Sequence, residues 1–341
     1  MTQRADRYAA AGVDIDAGDR AKKRIAEVVA STRTGLSRGL LGAFGGMVKL
    51  PSDIVDPTLV LSTDGVGTKI LVAIMAGKHD TVGEDLVNHC VDDILVHGAR
   101  PIAFLDYIAC AEMQSDTAVK LVEGVARGCR AHGMTLAGGE TAQMPDVYKK
   151  GDYDLAGTIV GVVSEKAALH GDHVKPGDIL VGYAGNGLHT NGYTLARKII
   201  FEEQKLRLDS QVPGMGKTVG DVLLAVHPSY YKVIEPVLGK VHALAHITGG
   251  GITGNLSRSL PKGMSAAVEK GTWTVPPLFR FLAEAGKVQE GEMYRVFNMG
   301  IGMVAIAPPE QVEAVRRPAM AAGVNTFVIG EIVVGEGVVL K

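Results

Sequence analysis

The sequence is poor in cysteine, in net charge and in long apolar runs, and each shortage excludes a class of protein. Its three cysteines, Cys90, Cys110 and Cys129, stand about twenty residues apart. That spacing fits neither a CxxC metal pair nor the dense framework of a disulfide-rich secreted domain. We expect all three to be reduced core residues of a cytoplasmic protein.

Charge and hydropathy exclude two further classes. The 35 basic and 37 acidic residues give a net charge of −2, whereas a nucleic-acid-binding surface needs a basic stripe. No stretch approaches the roughly 18 uninterrupted apolar residues of a membrane span. Charges scattered through the first thirty residues argue against a secretory signal. We therefore expect a cytoplasmic enzyme that binds neither nucleic acid nor membrane.

The length of 341 residues predicts two domains, at roughly 150 residues each. Apolar runs predict strands at 59–63, 101–109, 135–137, 155–163, 179–184, 243–248, 265–269, 301–306 and 327–334. Helical patterns predict helices at 19–30, 81–97, 115–132, 191–202, 218–238, 277–285 and 309–322. This mixture of strands and helices predicts an α/β class with mixed, α+β-type sheets. A polar, turn-rich stretch covers residues 170–178. We place the domain boundary near residue 168, giving domains 1–168 and 169–341.

Glycine is the residue in excess. The chain has 44 glycines, about 13% of its length, against an average near 7%. Many follow apolar runs, where glycine lets the backbone approach a ligand and present N–H groups to an anion. Several such loops in one chain indicate a protein that binds phosphates, although any single loop is equally explained as a tight turn.

Two segments resemble familiar phosphate-binding motifs, but neither has the sequence context that the motif requires. Gly216, Lys217 and Thr218 resemble the end of a P-loop, but the first glycine of that motif would be Gln211. Gly249, Gly251 and Gly254 satisfy G-x-G-x-x-G, yet Pro261 stops the following helix after barely two turns. We therefore expect neither a P-loop nor a Rossmann fold. Glycine amides that bind a phosphate remain possible at 249–251.

Acidic and imidazole side chains supply candidates for metal binding and catalysis. Asp64 follows an apolar run and opens a loop in which Gly65, Gly67, Thr68 and Lys69 follow. An acid, glycines, a hydroxyl and a lysine this close together suit Mg²⁺ and phosphate, though a charged turn is equally plausible. Glu140, after two glycines, is likewise either a metal-binding acid or part of a charged turn. The loop residue His189 is either functional or an ordinary loop histidine. His246, at a strand end before a triple glycine, is either functional or a core residue.

A predicted helix over 81–97 carries a polar arc opposite its apolar face. The arc consists of Asp85, Asn88, His89, Asp92 and Asp93. Such an arc is usually a solvated face, and we take that as the simpler interpretation. Adjacent like charges at Asp92 and Asp93 are costly unless a cation offsets them, so a metal site is the alternative.

Several segments together resemble the phosphoribosylformylglycinamidine cyclo-ligases, or aminoimidazole ribonucleotide (AIR) synthetases, of purine biosynthesis. In chain order they are AGVDIDAG (11–18), FGG (44–46), STDGVGTK (62–69), VDDILVHGA (91–99), FLDYIA (104–109), AGGETAQMP (137–145), YDLAGTIVGVV (153–163), GLHTNGY (187–193), AHITGGG (245–251) and EMYRVFNMGIGM (292–303). DGVGT and GGET recur across a superfamily of ATP-using enzymes. AGVDIDAG, HITGGG and EMYRVFN point to the cyclo-ligases themselves.

The resemblance implies a two-domain α/β subunit that forms a homodimer, with N-terminal strands closing a β-barrel between subunits. It implies conversion of formylglycinamidine ribonucleotide and ATP into aminoimidazole ribonucleotide, ADP and phosphate, through an imidate phosphate.

It also implies the role of each matched residue. By resemblance, Mg²⁺ is bound by Asp64, Asp93 and Glu140. The ATP phosphates are bound by Gly45, Gly46, Asp64, Gly65, Gly67, Thr68 and Lys69, and the substrate phosphate is bound by Gly249, Gly250 and Gly251. The residues expected near the reacting groups are His189, Asn191, His246 and Lys69. The segment before Gly45 contains Ala43 where a more glycine-rich start is expected, which weakens the loop assignment.

Two rival interpretations remain at the sequence level. One is another ATP-dependent enzyme of the same superfamily, such as a thiamine-monophosphate kinase, a selenophosphate synthetase or a formylglycinamidine ribonucleotide synthase. The chain lacks an early reactive cysteine for the second and room for a glutaminase domain for the third. The other rival is a nucleotide-binding regulator without catalysis, which would need no paired acids or histidines.

Overall fold

A computed structural model describes residues 15–39, 43–112 and 114–341, with side chains described from residue 23 onward. The first four residues of the AGVDIDAG segment lie outside this range. None of the helices in the described residues is long and apolar enough to cross a membrane. The three cysteines are free and buried, as predicted.

Helices and strands are intermixed through the described residues. In order they are α1 (Ile15–Ala30), β1 (Ser37–Arg38), β2 (Met47–Val48), β3 (Pro57–Gly65), α2 (Lys69–Ala76), α3 (Val82–Leu95), β4 (Arg100–Cys110), α4 (Ser115–Ala131), β5 (Thr135–Gln143), β6 (Tyr153–Ser164), β7 (Ile179–Ala184), α5 (Tyr193–Arg197), α6 (Val219–Leu223), α7 (Tyr231–Ile234), β8 (Ala243–His246), α8 (Gly251–Leu256), β9 (Met264–Val268), α9 (Pro277–Ala285), α10 (Glu290–Val296), β10 (Ile301–Ala307), α11 (Val312–Ala321), β11 (Thr326–Val334) and β12 (Gly337–Leu340).

The chain forms two compact units. The first contains the described residues up to Cys90 together with Pro101–Val162, and the second contains Val91–Arg100 and Val163–Lys341. Helix α3 therefore begins in the first unit and ends in the second. The predicted boundary near residue 168 falls a few residues inside the second unit.

The first unit is built on a four-stranded sheet in the order β3-β6-β4-β5, in which β4 and β5 are parallel. Helices α3 and α4 approach each other closely because glycines lie where they meet. A Cβ on Gly83 would stand 2.3 Å from the Leu121 carbonyl oxygen, and one on Gly128 would stand 2.7 Å from the Val87 side chain. Only glycine permits this distance, so these positions fix how the two helices pack.

The second unit is built on a six-stranded sheet in the order β12-β9-β11-β7-β10-β8. Its pairings are antiparallel except for β12 with β9, which are parallel. Tyr183 of β7, Tyr230 and Met303 of β10 belong to its buried core. The predicted α/β class with mixed sheets is confirmed.

Most predicted elements occur within two residues of their predicted ends, but one helix is wrong. Residues 218–238 form α6 and α7, separated by an irregular segment. Pro228 lies in that segment, and its missing N–H and its effect on the preceding residue both disfavour a continuous helix. The glycines before Glu140 also continue strand β5 instead of ending it.

Candidate functional site

Asp64 lies one residue before the end of β3, with 43% of its side chain exposed. Its Oδ1 accepts a hydrogen bond of 2.7 Å from the Gly65 amide, and its Oδ2 is 2.6 Å from Nε2 of His89. Gly67 follows in the left-handed region, with φ of 67°, where glycine costs least. The loop therefore presents a partly exposed carboxylate oriented by a histidine.

Lys69, predicted to contact phosphates, is fully buried in the first unit. Its Nζ lies 2.8 Å from Oδ1 of Asp85, whose side chain is also completely buried. Burial lowers the pKa of Lys69, while the charge of Asp85 and the hydrogen bond to it oppose that shift. The ammonium thus contacts an internal carboxylate and is not placed at the surface of the loop.

The polar arc of α3 is not a solvated face, so the simpler interpretation is wrong. Asp85, Asn88, His89 and Asp92 are buried. In the first unit, Asp85 contacts Lys69, and Oδ1 of Asn88 is 3.1 Å from Nε2 of His132. His89 contacts Asp64, as described above. A buried polar side chain needs such partners to offset its lost hydration.

The last turn of α3 continues this pattern inside the second unit. Oδ1 of Asp92 accepts hydrogen bonds of 2.9 Å from the Tyr230 amide and 3.2 Å from the Ser229 hydroxyl. Burial nevertheless raises the pKa of Asp92 well above its usual value, against the effect of these bonds. Oδ1 of Asp93 is 2.9 Å from Nδ1 of His246.

Three buried histidines lie together in the second unit. The His189 ring stacks on the His227 ring, with centroids 4.3 Å apart and planes inclined by 22°. Nε2 of His227 is 3.4 Å from Nε2 of His246 and 3.6 Å from Oδ2 of Asp92. The predicted residues His189 and His246 are therefore joined through His227.

His189 occupies a slot between two glycines. A Cβ on Gly185 would stand 2.8 Å from Nε2 of His189, and one on Gly302 would stand 2.5 Å from its Cε1. His189 itself has φ of 61°, which is uncommon for a residue with a side chain. The surrounding packing therefore fixes the position of this imidazole.

The loop at Gly249–Gly251 contacts two other segments that carried the family resemblance. A Cβ on Gly249 would stand 3.1 Å from Oδ1 of Asn191, and one on Gly251 would stand 1.9 Å from the carbonyl oxygen of Tyr294. A Cβ on Gly192 would likewise stand 2.4 Å from the Phe297 ring. The GLHTNGY, HITGGG and EMYRVFN segments thus interlock through glycines.

The remaining predicted residues lie in the first unit. Glu140 is exposed, and its Oε1 accepts a hydrogen bond of 2.8 Å from the Thr141 amide. Gly46 packs on β5, where a Cβ would stand 2.3 Å from the Ala137 carbonyl oxygen, whereas a Cβ on Gly45 would contact nothing within 4 Å. Thr68 directly precedes α2.

Two residues of the second unit were not identified from the sequence. His227 was assigned to the interior of a helix, although Pro228 could have indicated that the helix ends there. Asn298 donates a 2.9 Å hydrogen bond to the Gly187 carbonyl and accepts one of 2.8 Å from the Gly300 amide. It thereby connects the EMYRVFN segment to the loop that contains His189, and nothing in its spacing indicates this.

Comparison with known families identifies both parts of the chain. Residues 46–163 match the family described as AIR synthase related protein, N-terminal domain, and residues 175–341 match its C-terminal domain. A phosphoribosylformylglycinamidine cyclo-ligase from Caldanaerobacter subterraneus subsp. tengcongensis is 45% identical over 98% of this chain and 99% of its own length. This chain belongs to that cyclo-ligase family. The predicted ligase of purine biosynthesis is confirmed.

A second relative supports the same family, and two solved structures of lower identity support the fold. A cyclo-ligase from Desulfatibacillum aliphaticivorans is 46% identical over 95% of this chain and 94% of its own. The structure of thiamine-monophosphate kinase from Stenotrophomonas maltophilia has a TM-score of 0.68 at 18% identity, covering 95% of each chain. HypE of E. coli, a hydrogenase maturation protein, has a TM-score of 0.67 at 17% identity, covering 95% of this chain and 93% of its own. The kinase and HypE structures therefore share the fold of this chain.

Proposed function

We propose that this chain closes the imidazole ring of aminoimidazole ribonucleotide from formylglycinamidine ribonucleotide, using ATP, in the cytoplasm. The observation that carries the proposal is the interlocking of GLHTNGY, HITGGG and EMYRVFN in the second unit. The last two point to the cyclo-ligases within the superfamily. The interlocking brings Asn191 against the glycine loop and places the loop beside Tyr294.

The chemical problem is that an amide oxygen is a poor leaving group. In the proposed reaction the formyl oxygen attacks the γ-phosphorus of ATP, the bond to ADP breaks, and an imidate phosphate forms. The amidine nitrogen then attacks the formyl carbon, the C–O bond breaks, and inorganic phosphate leaves with that oxygen. The attacking nitrogen loses its proton, and a proton shifts from the ring CH2 group to the exocyclic imine nitrogen, which completes the aromatic aminoimidazole ring. The protein contributes positioning and stabilisation of charge.

His189, Asn191 and His246 are our candidates for the groups near the reacting atoms. The geometry defines one proton position. Because the carboxylate of Asp93 only accepts, Nδ1 of His246 carries the hydrogen, and Nε2 of a neutral His246 is left as an acceptor. Nε2 of His227, 3.4 Å away, then donates to it. His246 is thereby held in one tautomer between Asp93 and His227.

ATP and Mg²⁺ are assigned to the residues that the resemblance selects. Asp64 and Glu140 have exposed carboxylates, which are ligands that Mg²⁺ favours, and Asp93 is the third candidate ligand. Bound Mg²⁺ would neutralise charge on the transferring phosphate. Gly45, Gly46, Gly65, Gly67 and Thr68 remain candidates for the ATP phosphates. We omit Lys69 from this set because its ammonium is buried against Asp85.

A homodimer is part of the proposal. The sheet of the first unit exposes apolar side chains, including 50% of Leu59, 63% of Leu61 and 37% of Leu105. Large apolar side chains that remain exposed on several strands of one sheet are typical of an interface. A second copy covering this face would form the β-barrel that the resemblance implies.

The test is a turnover assay with a matched variant. Wild-type protein with ATP and formylglycinamidine ribonucleotide should release ADP and aminoimidazole ribonucleotide in equal amounts. Gly250 has φ of 101°, so Gly250→Val should disturb the loop amides and raise the substrate KM much more than the ATP KM. ADP release without the imidazole product would contradict the proposed activity. Equal effects on both KM values would contradict the loop assignment.

A further inference from the structure

Asn255 of α8 is buried directly behind the glycine loop, with 5% of its surface exposed. Its Nδ2 lies 3.3 Å from the Thr248 carbonyl, 3.3 Å from the Gly249 carbonyl and 2.8 Å from the Gly251 carbonyl. Its Oδ1 accepts a 3.1 Å hydrogen bond from the Thr248 hydroxyl. One side-chain amide is therefore oriented by Thr248 and contacts three loop carbonyls.

These contacts determine where the loop N–H groups point. In a trans peptide unit the C=O and the following N–H point in opposite directions. Since the Thr248 carbonyl faces Asn255, the Gly249 N–H faces away from it. The Gly249 carbonyl fixes the Gly250 N–H in the same way. Two consecutive amide donors are thus turned to the side opposite the Asn255 side chain.

Both amides are available to a ligand. Within the described parts of the chain, neither the Gly249 nor the Gly250 N–H donates a hydrogen bond. Gly249 is exposed and Gly250 is half-buried. By contrast, the Gly251 N–H is used internally, at 3.0 Å from the Thr248 carbonyl. Adjacent outward amides form the kind of concave donor pair that binds anions.

We propose that Asn255 is a positioning residue for the substrate phosphate. It holds the peptide planes of residues 248–250 so that the Gly249 and Gly250 amides together bind the phosphate monoester of the ribonucleotide. This inference rests on the proposed function of the loop. The residue does not touch the phosphate, because its amide faces the carbonyl side.

The experiment compares Asn255→Leu with Ser257→Ala. Leucine keeps a similar size without the donor. Ser257 directly follows α8, and within the described residues its exposed hydroxyl donates to the Gly254 carbonyl at 3.1 Å. We expect Asn255→Leu to raise the KM for formylglycinamidine ribonucleotide at least tenfold, with an ATP KM within about twofold of wild type. Ribose 5-phosphate, a simple phosphate monoester, should inhibit the variant correspondingly less. Ser257→Ala should leave all three values unchanged.

A second variant protects the test against loss of folding. Thr248→Val removes the hydroxyl that orients Asn255 but keeps its amide, and should raise the substrate KM by a smaller factor. If Gly250→Val raises the substrate KM while Asn255→Leu and Thr248→Val do not, the positioning role is wrong and the loop assignment stands. If none of the three raises it, both the role and the loop assignment are wrong.

Discussion

Lys69 and Asp85 form an ion pair with 2.8 Å between Nζ and Oδ1, and neither side chain is exposed to solvent. Two buried charges lose hydration that their mutual attraction only partly replaces. Removing one partner leaves the other uncompensated, which is more costly than removing both. We therefore expect Lys69, which follows a loop that resembles a phosphate-binding motif, to contribute to folding stability through this pair.

We predict that Lys69→Met lowers the free energy of unfolding by about 3 kcal/mol or more. The double variant Lys69→Met/Asp85→Leu should recover most of that loss. Urea unfolding measures both. The control is Lys150→Met, which breaks the exposed Lys150–Glu112 pair and should cost less than about 1 kcal/mol. A Lys69→Met protein of normal stability whose ATP KM rises tenfold would instead restore Lys69 to the phosphate site.

Two glycines of α8 should respond oppositely to alanine. Gly251 has φ of 62°, and a Cβ there would stand 1.9 Å from the Tyr294 carbonyl oxygen, whereas a Cβ on Gly254 would contact nothing within 4 Å. Gly251→Ala should therefore destabilise the protein by about 2 kcal/mol or more. Gly254→Ala should stabilise it by roughly 0.5 to 1 kcal/mol. Thermal unfolding of both variants checks the pair, and equal shifts would contradict it.

The fold was largely predictable because the spacing of apolar residues and the placement of glycines are local properties of the sequence. Strand β7 and helix α9 occur at the predicted residues, 179–184 and 277–285. Helix α2 was missed because its eight residues, KILVAIMA, are almost uniformly apolar and show no helical period. The predicted helix over 218–238 is wrong because Pro228 interrupts a segment whose apolar spacing otherwise suits a helix.

The site was predictable in its motifs but not in its pairings. Asp93 and His246 were both named, yet only the fold brings residues 153 apart in sequence into contact at 2.9 Å. The arc of α3 has the same composition whether it faces water or a buried partner. His227 and Asn255 carry no local pattern, because their roles depend on what the tertiary structure places beside them.

Asp106 of β4 should make stability depend on pH. Burial raises the pKa of its carboxyl from 3.8 to about 7. The folded protein therefore binds this proton more tightly than the unfolded chain, so the contribution to stability is full below pH 4 and is lost as the pH rises toward 7. Relative to wild type, Asp106→Asn should gain stability across this window, by up to about 1.4 kcal/mol per pH unit. Unfolding at pH 5 and pH 8 measures it, with exposed Asp146→Asn as control. A pH-independent difference would contradict the assignment.

The dimer can be tested on the exposed face of β3. We expect Leu61→Glu to shift the protein from dimer to monomer at micromolar concentration, because it places charge in the proposed apolar interface. Met320→Glu is the control, since Met320 is similarly exposed, at 60%, but lies on α11 of the second unit. Sedimentation of both variants decides the matter. A wild-type enzyme that is active and entirely monomeric would contradict the proposed dimer.

Asp93 provides the sharpest test of the carboxylates. Asp93→Asn keeps the size of the side chain and an oxygen that can accept from Nδ1 of His246, so His246 should stay in place while one negative charge is lost. If Asp93 helps to bind Mg²⁺ with ATP, kcat/KM should fall on the order of 10²-fold or more, about 2.7 kcal/mol. Raising Mg²⁺ should partly restore activity, because the defect lies in metal affinity. The exposed Asp172→Asn is the control and should behave as wild type. A folded Asp93→Asn enzyme with normal turnover and an unchanged Mg²⁺ requirement would remove Asp93 from the metal site and leave it only as the partner of His246.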